Sequence, residues 1–184
     1  MTLGRTLMAL ARQSLTEPRA AAANLIALDL PMSVVWSGFF VVNIISVILG
    51  QMFLGSDTAP FVVAAFTIVF SLFSVALVVQ MGRFLGGTGQ FREALMLTAF
   101  LQGVFLVGQA IQILLMIILP PLAGTYGIFL LLFVAWINVN FIAALHGMAS
   151  LWRAFGVLML ASFVLAMIAI FFLSMTGQLP EPSV

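Results

Sequence analysis

Three glutamines, Gln102, Gln109 and Gln112, come nearest in type and spacing to a chemical device. At 100° per residue they fall within about 80° of one another on a helix, forming one polar stripe on an apolar rod. Such a stripe can line a polar path or hold a ligand. It can equally join helices through hydrogen bonds of roughly 0.6 kcal/mol each. Asn43 shares a helix face with Gly50, and Asn138 and Asn140 point to opposite sides of a later segment. Asn43 and Asn138 join the glutamines as an intramembrane polar set. His146, next to Gly147 and close to Trp152-Arg153, could meet a lipid phosphate, titrate near neutral pH or cap a helix end. The run Gly86-Gly87-Thr88-Gly89 lacks the Gly-Lys-Ser/Thr ending of a phosphate loop and reads as a flexible turn.

The missing residue types exclude more than the present ones suggest. With no Cys there is no disulfide, thiolate nucleophile or iron–sulfur ligand set. A single His cannot form bis-histidine haem and argues against an autonomous zinc site. No Ser-His-Asp set or carboxylate pair is visible, so no catalytic or metal residue is expected and the chain reads as a non-enzyme. No cofactor is expected, beyond a bound phospholipid. No Asp, Glu, Lys, Arg or His falls near the middle of an apolar run, which argues against an ion-coupled pump.

The elements that position these residues follow from hydropathy and charge. Of 184 residues, 64% are hydrophobic and 6% charged, against about half and a quarter in soluble domains. Five apolar runs, at about 32–54, 61–81, 93–119, 126–145 and 155–175, are long enough to span a bilayer. Residues 61–79 alone hold thirteen Leu, Ile, Val or Phe. Arg5, Arg12 and Arg19 precede the first run, Arg83 and Arg92 separate the second and third, and Arg153 separates the fourth and fifth. That alternation predicts an N-terminus inside and a C-terminus outside. It leaves no broad basic surface for nucleic acid.

The expected fold is therefore an all-α membrane protein: five transmembrane helices preceded by a short amphipathic N-terminal helical segment. Residues 1–30 form that segment on the cytoplasmic side, 31–176 the membrane domain and 177–184 a disordered tail outside. Leu3, Leu7, Leu10 and Ala11 share one face of the first helix, with Arg5 and Arg12 in reach of headgroups. Thr16-Glu17-Pro18 starts a second short helix, and Pro120-Pro121 ends the third span. Trp36 and Trp152 are placed as interfacial anchors, and Trp136 as packed between helices.

Two small-residue faces stand out: Ala64, Thr67, Ser71 and Ser74 on the second span, and Ala143 and Gly147 on the fourth. They are expected to let helices, or a partner protein, approach closely. Arg5, Arg12, Arg19, Arg83, Arg92, Arg153 and His146 are the expected headgroup contacts.

The chain also resembles the small bacterial Yip1-domain proteins. Asp29-Leu30-Pro31, the connection Gly82-Arg83-Phe84-Leu85-Gly86-Gly87-Thr88-Gly89, Pro120-Pro121 and Leu145-His146-Gly147 carry the likeness, which covers nearly everything from Leu28 onward. In eukaryotes it implies five-span proteins that bind prenylated Rab GTPases and act in vesicle transport. Those members have a longer soluble N-terminal region and an Asp-Leu-Tyr-Gly-Pro-like element, of which only Asp29, Leu30 and Pro31 correspond here. That departure from the eukaryotic pattern weighs against binding of a Rab-type GTPase. For bacterial relatives the resemblance implies a fold and no established activity; the expected location is the bacterial inner membrane. The expectation is a polytopic protein that binds lipid or membrane partners, as accessory subunit, assembly factor, membrane organiser or homo-oligomer. The alternative is a transporter or channel for a neutral or lipid-like solute.

Overall fold

Three prolines and two glycines set the element boundaries. In the computed structural model, which describes residues 3–54 and 59–175, seven helices follow in chain order. They are α1 (Leu3–Ser14), α2 (Pro18–Ala27), α3 (Met32–Leu54), α4 (Pro60–Phe84), α5 (Phe91–Ile118), α6 (Pro120–Leu145) and α7 (Leu151–Met175). Helices α2, α4 and α6 all begin on proline, whose fixed φ suits a first turn and whose missing N–H would have no helical partner there. α5 starts on a reciprocal cap, with the Gln90 N–H donating to Glu93 Oε2.

Glycine ends two of them. Gly86 (φ +87) and Gly147 (φ +63) take the left-handed conformation after α4 and α6. In each case two backbone bonds close the turn: Gly86 N–H to Arg83 and Gly87 N–H to Gly82, then Gly147 N–H to Ala144 and Met148 N–H to Ala143. Asp29 (φ +45) fills the equivalent position after α2.

The five long helices are each apolar enough to cross a bilayer. Their boundaries depart from expectation in one instructive way. α6 starts at Pro120, not Tyr126, because the proline pair that stops α5 also initiates the next helix. Leu119 alone links them. α7 likewise starts at Leu151 rather than Phe155, and α4 runs to Phe84, carrying Arg83 in its last turn where the helix dipole favours a cation. Residues 55–58, between the first two spans, and the 177–184 tail lie outside the described residues.

α4, α5, α6 and α7 close a ring, and α3 packs outside it against α4 and α5. The core is built from Phe39 of α3, Val75 of α4, Leu95 and Leu97 of α5, and Ile137 and Phe141 of α6. Across the end that carries the arginines lies the α1–α2 hairpin, with Ala21, Ala22 and Leu25 of α2 buried against α5 and α6. Phe, Ile and Val on the outer faces remain exposed, as lipid-facing residues should. Trp152 is 81% exposed. Trp136 is 43% exposed and stacks on Phe133 of its own helix, so it does not pack between helices.

Candidate functional site

Two arrangements inside the ring place most of the polar side chains. The first is a hydrogen-bonded relay across three helices. Asn43 of α3, 1% exposed, donates through Nδ2 to the Phe39 carbonyl (2.8 Å) and to Gln102 Oε1 of α5 (3.1 Å). Gln102 Nε2 donates in turn to Ser71 Oγ of α4 at 3.0 Å. The relay satisfies an amide that would otherwise be stranded in an apolar interior, a loss of about 1–3 kcal/mol.

Around this relay α4, α5, α6 and α7, with Asn43 of α3, line a half-open chamber of about 360 Å³. Asn43, Thr67, Ser71, Ser74, Thr98, Gln102, Asn138 and Ser162 supply its polar wall, among Val, Leu and Phe. None is ionisable. Thr67, Ser74, Thr98, Asn138 and Ser162 have no side-chain hydrogen bond to the protein among the described residues. The small residues of α4 therefore act differently from expectation: Thr67, Ser71 and Ser74 make room, and only Ala64 of that stripe stays off the chamber wall. From Thr67 to Val78 the wall follows α4 for about 16 Å at ~1.5 Å per residue.

The second arrangement lies toward the arginine end, beyond Val78 and Leu145 of the chamber wall. The next position on the same stripe is Gly82. A Cβ there would meet His146 Nε2 at 2.0 Å, so the imidazole occupies the space that glycine leaves. Gly87 and Gly89 complete the cradle, with Cβ approaches of 2.5 and 2.8 Å to the same ring or Cβ. His146 Nδ1 accepts the Gly89 N–H at 3.1 Å, so a neutral ring carries its proton on Nε2. That nitrogen is buried and makes no well-formed hydrogen bond among the described residues. Burial pushes the imidazole pKa below its ordinary 6.5; the Val78 carbonyl opposes this, Arg83 adds to it and Glu93 opposes it.

His146 is 2% exposed, so a headgroup contact there is ruled out by its burial. The glycine run is correspondingly a packed surface and not merely a loose turn.

The arginines divide into two groups. Arg83 Nε donates to the Gly89 carbonyl (3.2 Å) and Arg19 Nη2 to the Met148 carbonyl (2.5 Å), tying both interhelical turns and α2 together. Arg92 pairs with Asp29 (2.8 Å) and donates to the Leu30 carbonyl, fixing the corner before α3. Arg5, Arg12 and Arg153 are exposed and make no ion pair among the described residues.

Gln109 and Gln112 do not reach the chamber. Gln112 packs on Gly127 of α6, where a Cβ would come within 2.5 Å of Nε2, and Gln109 Oε1 is buried without a donor. Ala143 is fully buried in a cluster with Ala154 and Val157 of α7. Gly147 is exposed with open space around it, so it serves the turn and not helix packing. Sequence reasoning passed over Thr98, although it lies one turn before Gln102 on the same face. Ser162 of α7 offered no stripe to find it by.

A multi-pass, all-helical membrane protein with an uncharged polar chamber is the class these features define. A family model for the Yip1 domain matches residues 12–173. The chain belongs to the Yip1-domain family. No curated protein and no solved structure matches it.

Proposed function

We propose that this protein works without catalysis, by binding a membrane component whose uncharged, hydrogen-bonding head enters the chamber. The observation that carries the reading is the set of five polar side chains, Thr67, Ser74, Thr98, Asn138 and Ser162, that line this space with no side-chain hydrogen bond among the described residues. Polar groups in that setting are favourable only when a ligand or water completes them. An uncharged wall disfavours an ionic guest.

On this reading the protein sits in a bacterial inner membrane, N-terminus cytoplasmic, and acts as an accessory or organising component beside a membrane partner or a second copy. Nucleic acid has no place in it, nor does a Rab-type GTPase. The test is lipid extraction and mass spectrometry after mild-detergent purification of wild type and Ser74→Leu/Ser162→Leu, which fills the chamber and spares the amide relay. One neutral lipid class enriched over the bulk membrane and lost in the variant is expected. Bulk composition in both proteins would refute the reading. Transport of a neutral solute is the second reading, resting on the same lining. Flux in proteoliposomes that vanishes in the variant would favour it.

A further inference from the structure

A second space, independent of the chamber, lies on the outer side of α3 and α5. It is a groove of about 350 Å³ lined by α1, α2, α3 and α5. Every lining residue is apolar or glycine, including Leu7 and Met8 of α1, Gly38 and Val42 of α3, and Gly103 and Val107 of α5. The glycines are what open it. A Cβ on Gly38 would meet nothing within 4 Å, and one on Gly103 only Val42 at 3.9 Å, so no neighbour requires glycine at either site.

The groove begins under α1 at the arginine end and follows α5 from Met96 to Val107. That is about 16 Å at ~1.5 Å per residue, or roughly one leaflet of a ~30 Å hydrocarbon core. Arg5 and Arg12 project within roughly 20° of each other on the exposed face of α1; neither lines the groove, and Arg12 stands one turn after its lining residue Met8. Met8 itself lines the groove and is 72% exposed, so this edge is open. α1 contains no acidic residue, and neither arginine has an ion-pair partner among the described residues. An apolar slot about one leaflet deep, roofed by a helix whose outer face carries two uncompensated cations, matches one class of molecule in charge and in length.

We infer that this groove holds one acyl chain of an anionic phospholipid, whose phosphate is met by Arg5 and Arg12. The lipid fastens α1 to the bundle from the membrane side. Binding of a neutral molecule in the chamber is neither required nor excluded by this site.

The experiment is native mass spectrometry of the full chain after exchange into detergent carrying equimolar phosphatidylglycerol and phosphatidylcholine. Wild type should retain one phosphatidylglycerol in preference by roughly thirtyfold, taking each nearby arginine as worth about fivefold. Arg5→Gln/Arg12→Gln should abolish the preference while an acyl chain still occupies the groove. Gly38→Leu/Gly103→Leu should expel both lipids. Equal retention of the two lipids by wild type, or a preference unchanged in the arginine variant, overturns the inference. Should the leucine variant fail to fold, the arginine pair, exposed and without protein ion pairs, decides the matter alone.

Discussion

Glycine is used in opposite ways at the His146 cradle and in the outer groove. At Gly82, Gly87 and Gly89 the space left by a missing side chain is filled by the imidazole, with approaches no Cβ could tolerate. At Gly38 and Gly103 the same omission is left unfilled by protein. The first makes a rigid joint, since three chain segments become mutually dependent on one ring. The second leaves room that only the surrounding membrane can occupy. A glycine thus reports a fit in one place and a vacancy in the other, and only the neighbouring atoms distinguish them.

The comparison breaks most sharply on substitution by alanine. Gly82→Ala should destabilise by about 3 kcal/mol or prevent folding, because the ring beneath is held on all sides. Gly38→Ala and Gly103→Ala should be neutral or stabilise by about 0.5–1 kcal/mol through helix propensity. Thermal unfolding in detergent, followed by size-exclusion recovery, measures both. Equal losses at the three positions would remove the distinction.

A smaller effect is expected within the chamber. Gln102→Leu leaves Asn43 Nδ2 with the Phe39 carbonyl alone, takes the donor from Ser71 Oγ, and should cost about 1–3 kcal/mol. Asn43→Leu/Gln102→Leu should cost less than the sum of its parts, since both ends of one bond leave together. Additive losses would mean that the two amides do not act as a unit.

The pH profile of stability sharpens the cradle side. His146 has a folded pKa below the unfolded 6.5, so the unfolded chain takes up a proton first as the solution is acidified. The stabilising contribution is complete above pH 6.5 and declines below it, by at most about 1.4 kcal/mol per pH unit. His146→Gln should flatten the part of the melting-temperature profile below pH 6.5. A profile unchanged by that replacement would assign the titration elsewhere.

The smallest effect belongs to the Arg92–Asp29 pair, whose side chains are 42% and 82% exposed. Asp29→Asn keeps a residue tolerant of positive φ and should lose about 0.5 kcal/mol, less in high salt.

How much of this was legible in the chain depends on whether one segment or several decide the matter. The spans were readable because each is apolar throughout, and the arginines do gather at one end of the bundle. The start of α6 was not, because Pro120 marks both the end of one helix and a favourable first turn of another. The glutamine stripe divides between environments for a related reason. Gln102, Gln109 and Gln112 share a face of α5, but α3 and α4 flank the first while Gln112 meets α6. One face of a long helix is not one environment. His146 looked interfacial from its place at a helix end beside Gly147. Its burial depends on Gly82, Gly87 and Gly89, far away in sequence, and no local pattern points from one to the other.

The single residue between α5 and α6 bears on all of this. With Leu119 as their only link, the two helices behave as the arms of a pair of tongs pinned at the far end. Separation is nearly forbidden at the pin and amplified at the tips. A splay of about 5° over the 26 residues of α6 moves the opposite end by about 3 Å at ~1.5 Å rise per residue. The tips are where His146, Arg83 and Arg19 hold the turns together, so the clasp sits at the place of greatest leverage.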